Sequence, residues 1–423
     1  MHEPSRPPLR SRVIERSPVY YGWVILAAGT FGLVMTTPGQ TLGISVFLDL
    51  IIDDLGLSRS LVSLVYTIAT FTGALALPYV GRVIDRRGPR RSVIVISIAF
   101  AFACVFMGFV QGLATLALGF LLIRGLGQGA LSLASVHIIN IWFVRRRGLA
   151  VGIAGLGMAV STAFFPLLIE GLIDRFDWRV AYMLLGAIVA CTIVPLGALL
   201  FRGHPERYGL EPDGFASSRQ GPPPLEAAYT AAQARRTGTF WLFTMGDFWV
   251  SALGTGLIFH HFSIMAEGGL DRVAAATVFI PLAFVTAGAG FLAGVLMDRI
   301  PPRIVLAAAM LFQAGALLMA TRVSGPESII VYGAILGLSQ GTRNALSASA
   351  YAHYFGRRHI GAIKGFSTTI TVAGTSIGPL LFAVGFDVFG GYGTVLAISA
   401  LFPLVQAIVT PFVKTLPPPD GES

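Results

Sequence analysis

Gly81-Arg82-Val83-Ile84-Asp85-Arg86-Arg87-Gly88-Pro89-Arg90-Arg91 is a short basic turn wedged between two long apolar runs, and it occurs twice. At a shift of 213 residues, Gly294, Asp298, Arg299, Pro302 and Arg303 fall in register with it. The copy reaches well beyond the turn. At 212, Gln128-Gly129, Phe143, Arg145 and Arg146 meet Gln340-Gly341, Phe355, Arg357 and Arg358; at 213 again, Gly152, Pro166 and Asp174 meet Gly365, Pro379 and Asp387. Internal repetition in an apolar chain is the pattern of a membrane protein built from two related halves.

Composition agrees. With 54% hydrophobic and only 12% charged residues in 423, the chain has too little polar surface to cover a soluble globule of that size. The net charge of +9 is spread in short clusters between apolar runs, which argues for a membrane surface and against nucleic acid. Cys104 and Cys191 each sit inside an apolar run, so neither a disulfide framework nor a metal site is indicated. The first 18 residues carry four Arg and no apolar core, unlike a cleavable signal peptide.

Runs long enough to span a bilayer, ~17–25 residues, fall near 20–48, 59–81, 92–112, 115–142, 148–172 and 179–201. A second set lies near 238–265, 272–297, 303–322, 327–354, 361–386 and 392–413. The fold class is therefore all-α: a polytopic membrane protein with twelve transmembrane helices in two six-helix repeats. The expected divisions are an N-terminal arm (1–19), a first bundle (20–201), a linker (202–237), a second bundle (238–414) and a tail (415–423). Within the linker, 225–236 reads as a short surface helix.

If the N-terminus is cytoplasmic, 23 of the 30 Lys and Arg fall on that side and five, Arg59, Arg175, Arg179, Arg272 and Arg322, on the other. The asymmetry places both termini and the linker on the cytoplasmic side of the cytoplasmic (inner) membrane. Two basic residues remain within the runs, Arg124 and Arg343. A charge at mid-bilayer costs ~2.5–3.5 kcal/mol on the insertion scale, and Arg cannot shed its proton to escape that. At 100° per residue, Gln128 and Ser135 share the face of Arg124, and Gln340, Ser347 and Tyr354 that of Arg343. Such polar stripes suit a wet cavity; an Arg that merely ties helices through a carboxylate or backbone carbonyls is the alternative.

Asp247 is the one carboxylate placed deep in a run, since Asp49, Glu170 and Glu267 sit toward external ends. Two fixed positive charges against one negative favour a small monoanion as substrate. His261 lies within about 40° of the Asp247 face, so both are candidates to carry a proton, whereas His137 and His260 read as packed polar residues. In the first span Thr36, Thr37, Gln40 and Thr41 surround Pro38-Gly39, a pair that either breaks the hydrogen-bond ladder and turns carbonyls into a cavity or simply kinks the helix. Gly152, Gly155 and Gly157 would admit a close neighbouring helix. No phosphate-binding loop, nucleophile elbow or HExxH is present, so no enzyme, cofactor or ATP-driven pump is expected.

The paired basic turns, with Arg124 followed by Gln128-Gly129, resemble the loop 2–3 and helix 4 motifs of the major facilitator superfamily over nearly the whole chain. Tyr21-Gly22-Trp23, Pro205-Glu206 through Pro212-Asp213-Gly214, Phe240-Trp241 and Tyr354-Phe355-Gly356-Arg357-Arg358 look like its bacterial monocarboxylate and oxalate/formate branch. The resemblance implies that helices 1, 4, 7 and 10 line a cavity and that a small carboxylate moves with a proton or by exchange. There are departures: that branch often has a basic residue in helix 8 and sometimes a Lys in helix 11, whereas here no charge follows Arg272 before Asp298 and 365–386 has none.

The expected function is secondary transport of a small organic anion with a proton, by a monomer. An exporter of an amphipathic compound, an exchanger and a non-transporting sensor are the alternatives. The candidate substrate-binding residues are Arg343, Arg124, Gln128, Gln340, Gln40 and Thr37; Asp247 and His261 would couple the proton. Asp85, Arg86, Asp298 and Arg299 would gate by reaching a neighbouring helix end or Arg across the intracellular side. From the basic-residue asymmetry, a Gly214→Cys protein in intact cells should resist an impermeant thiol reagent while Gly325→Cys reacts; labelling of Gly214→Cys would reverse the topology.

Overall fold

The computed structural model describes residues 11–144, 146–214, 229–297, 299–356 and 359–413. Twelve long helices account for most of them: α1 Gly22–Leu55, α2 Arg59–Arg87, α3 Pro89–Met107, α4 Leu113–Trp142, α5 Arg147–Phe176, α6 Trp178–Leu199, α7 Gly238–Phe259, α8 Arg272–Met297, α9 Pro302–Ala320, α10 Pro326–Phe355, α11 Ile360–Phe389 and α12 Tyr392–Phe412. Eleven are long and apolar enough to cross a membrane. The other, α10, is as long, but Glu327, Gln340, Arg343 and Asn344 make it more polar than its neighbours.

The repeated turns owe their form to proline. Pro89 and Pro302 occupy the first turn of α3 and α9, where the missing N–H costs nothing and the fixed φ favours helix. Gly88, at φ 81°, lets the chain double back before Pro89. Side chains cap other starts: Asp177 accepts from the Arg179 and Val180 amides, Thr237 from Phe240, and Asp271 from Ala274.

By contact the chain resolves into two compact units, one of Met1–Gln40, Thr72–Ser161 and Arg175–Gln220, the other of Thr41–Phe71, Thr162–Asp174 and Gly221–Ser423. In the first, Gly29 and Gly32 of α1 lie against Ile139 and Ser135 of α4. Of Gly152, Gly155 and Gly157 in α5, only Gly157 meets a neighbour, Thr30 of α1; Gly152 and Gly155 face open space. The start of the linker seals this unit. Asp213, with a left-handed φ of 62°, accepts from the Val144 and Arg146 amides. Tyr20 donates to the Trp142 and Glu211 carbonyls, and burial, then the Asp213 charge, push its phenol up to about 12. The short helix before α7 covers only Ala231–Ala234; residues 215–228 lie outside the described residues.

The second unit joins the ends of α1, α2 and α5 to the later helices. Arg272 makes a bidentate pair with Glu170 at 2.7 and 2.9 Å and also donates to the Val46 carbonyl at 2.6 Å. Arg59 donates to Asp49 at 2.7 Å and Ser263 at 2.5 Å and lies over the rings of Phe386 and Tyr392. Thr67 donates to the Ser376 carbonyl, Ser60 to Asp387, and Tyr66 packs on Phe259 at 4.3 Å.

Two helix crossings in this unit depend on the absence of a side chain. A Cβ on Gly378 of α11 would lie 1.9 Å from the Ala252 carbonyl oxygen of α7, and one on Gly341 of α10 would lie 2.3 Å from that of Thr286 in α8. Gly378→Ala should lower stability by ~1–3 kcal/mol, read as an earlier thermal unfolding midpoint in detergent. Gly365→Ala, on the same helix with nothing within 4 Å, should not; equal behaviour of the two would show the crossing to be adaptable.

Candidate functional site

Arg124 is buried at 3% exposure, and its setting is built from two broken helices. Helix α1 stops at Val34, turns through a 3-10 segment at Thr37–Gly39 and resumes at Thr41. Helix α4 widens into a π segment over Arg124–Leu131, where Gly127 leaves room for the Phe100 ring. The break in α1 presents the Gly39 carbonyl to Arg124 at 3.3 Å, and Arg124 also bonds Gln128. Around it Gln40 donates to Thr36 at 2.6 Å, and the Thr37 and Ser161 hydroxyls meet at 2.7 Å. The first span is thus broken rather than kinked, and Arg124 has the backbone-carbonyl partner of a helix tie.

The second cluster forms where α7, α10 and α11 meet. Asp247, 6% exposed, receives a 3.4 Å hydrogen bond from Tyr351. The Tyr351 hydroxyl sits 2.6 Å from Ser367 and 3.2 Å from Thr244. Arg343 is the strongest charge acting on Asp247, and Lys364 the second. Helix α11 starts at Ile360, so Lys364, just ahead of the charge-free stretch 365–386, lies in its first turns. Arg343 donates one terminal nitrogen to Asn344 at 2.8 Å, while its buried Nε has no acceptor among the described residues. Two cations, one carboxylate and an unmade donor bond are the elements of an anion site.

The remaining candidates are placed as follows. Gln340 lies against Gly254 of α7, beside Gln313. His261 does not share the Asp247 face: α7 ends at Phe259, His260 departs from helical geometry, and the helical-wheel extrapolation fails at that break. The His261 ring bonds the Ala275 carbonyl at 2.9 Å and stacks on Tyr332. His260 is satisfied at both nitrogens, by the Pro379 carbonyl and Tyr392. Asp85 lies 3.5 Å from His137 of α4, so its partner belongs to the first repeat and is neither an Arg nor a helix end. Arg86 and Arg299 are exposed, and Asp298 lies outside the described residues.

The family model for the Major Facilitator Superfamily matches residues 24–318 and 248–423. The chain belongs to the major facilitator superfamily. It is 31% identical to human monocarboxylate transporter 11 over 291 residues, 66% of this chain and 57% of that protein, so the match spans little more than half the relative. It is 26% identical over 337 residues to an MFS-type transporter of Gibberella moniliformis, covering 77% and 76% of the two chains. With a probable sulfoacetate transporter of Cupriavidus necator it shares 30% over 217 residues, 48% of each. The fold resembles a bacterial homolog of the human lysosomal transporter Spinster, in an inward-facing, unoccupied conformation, with TM-score 0.70, 18% identity, and coverage of 92% and 95%. As a multi-pass superfamily transporter, the protein is not an enzyme.

Sequence reasoning missed Lys364, Tyr351 and Ser367, and the Arg272–Glu170 and Arg59–Asp49 pairs. A signal for the pairs was present: each cation opens a helix near the same ends that carry those acids.

Proposed function

We propose that this superfamily member moves a small organic anion, a monocarboxylate, together with a proton, and that the cluster around Asp247 is where the two cargoes meet. The observation that carries the proposal is the buried Nε of Arg343, which has no acceptor among the described residues, with Arg343 and Lys364 the two cations whose charge acts on Asp247. Two cations against one carboxylate leave an excess of one, which a monocarboxylate neutralises. A substrate carboxylate accepting from Arg343 competes with Asp247 for that charge, so binding the anion raises the affinity of Asp247 for a proton. The relatives named as monocarboxylate and sulfoacetate transporters support the substrate class.

Coupling has an energetic reason. Bringing one negative charge into a cell at −100 mV costs ~2.3 kcal/mol, and an accompanying proton removes that cost. On this reading the ties of Arg272 to Glu170 and of Arg59 to Asp49 break and re-form during alternating access. In this proposal Arg124 shapes the bundle through Gly39 and Gln128, and both termini and the linker face the cytoplasm. Asp85 and Arg86 form the gate of the first repeat, Asp298 and Arg299 that of the second.

In proteoliposomes, Arg343→Gln should weaken binding of the transported monocarboxylate more than Arg343→Lys, which keeps the charge but loses the planar fork. Equal affinity of Arg343→Gln and wild type would move the anion site elsewhere. Asp247→Asn should abolish accumulation driven by an inward proton gradient while sparing counterflow exchange. Continued concentration of substrate by Asp247→Asn would remove it as carrier.

A further inference from the structure

A cavity of about 560 Å³ opens between α2, α3 and α4 of the first repeat, apart from the Asp247 cluster. Its walls are apolar, formed by Tyr79, Val83, Ile84, Val95, Leu126 and Ala130, and no carboxylate lines it. Its polar end is Arg87, Arg91 and Ser92, at the turn between α2 and α3. Both arginines are exposed, and neither has an ion pair among the described residues. Asp85, the nearest acid in sequence, is directed to His137.

The internal repeat supplies a control. Asp85, Arg86, Pro89 and Arg90 recur as Asp298, Arg299, Pro302 and Arg303, so they belong to the shared architecture of the turn, whereas Arg87 and Arg91 correspond to Ile300 and Ile304. The second repeat thus carries two apolar side chains where the first turn carries its two additional cations.

We propose that this cavity holds an anionic phospholipid, with acyl chain against the apolar wall and phosphate between Arg87 and Arg91. The turn lies at the ends of two membrane-spanning helices, the level of the headgroups, where basic pockets between helices select anionic lipid. A free phosphate would satisfy the arginines but leave the apolar length of the cavity unfilled; a lipid occupies both.

The test uses the full-length protein in non-ionic detergent, titrated with dioleoyl phosphatidylglycerol or dioleoyl phosphatidylcholine, with bound lipid counted by native mass spectrometry. Wild type should retain phosphatidylglycerol in preference to phosphatidylcholine. Arg87→Gln/Arg91→Gln should weaken that retention about tenfold, and Arg87→Lys/Arg91→Lys should keep most of it. Ala130→Phe, which fills the cavity floor with both arginines present, should also lose the lipid. Arg207→Gln/Arg236→Gln, an equal charge loss at exposed sites elsewhere, should bind as wild type does. Undiminished retention by Arg87→Gln/Arg91→Gln, equal loss in the Arg207→Gln/Arg236→Gln control, or displacement of the lipid by millimolar inorganic phosphate would each overturn the proposal.

Discussion

A guanidinium inside a bilayer needs a partner from the protein or a wet cavity, because it cannot lose its proton. At Arg124 the solvation comes from a backbone carbonyl, and a continuous α1 would have bonded that carbonyl to its own helix. The 3-10 turn at Thr37–Gly39 frees it, and the π segment of α4 accommodates Arg124 opposite. Non-helical backbone at membrane depth survives only where such a partner takes the released group. The contact therefore accounts for two irregular helices at once.

Arg343, repeating the theme of an intramembrane arginine in the second half, has the opposite character. Its Nε bond is unmade and its strongest charged neighbour is Asp247. Arg124 already has a backbone and a Gln partner, whereas Arg343 keeps a donor to spare, although both stand on polar stripes beside a Gln in the sequence.

The repeat, the spans and the two arginines were all legible in the sequence because each rests on local rules: hydrophobic length, period and the cost of burying charge. The break at His260 was not, since nothing between Leu257 and Phe262 resembles a helix stop, and it is the ring bonds of His260 to Pro379 and Tyr392 that accompany it. Lys364 was counted with the basic turn before α11, and only the packing of α7, α10 and α11 makes it part of the cluster around Asp247. Tyr351 escaped notice because only tertiary packing brings its hydroxyl to Thr244, Ser367 and Asp247.

The Arg272–Glu170 pair also sets an order for biogenesis. Glu170, 6% exposed, is synthesised 102 residues before its partner. At ~5–20 residues per second that is a wait of roughly 5–20 seconds, during which the end of α5 carries a carboxylate with no guanidinium to meet it. The first half of the chain thus leaves the ribosome before its own last turns can settle, and α8 is the element that completes them.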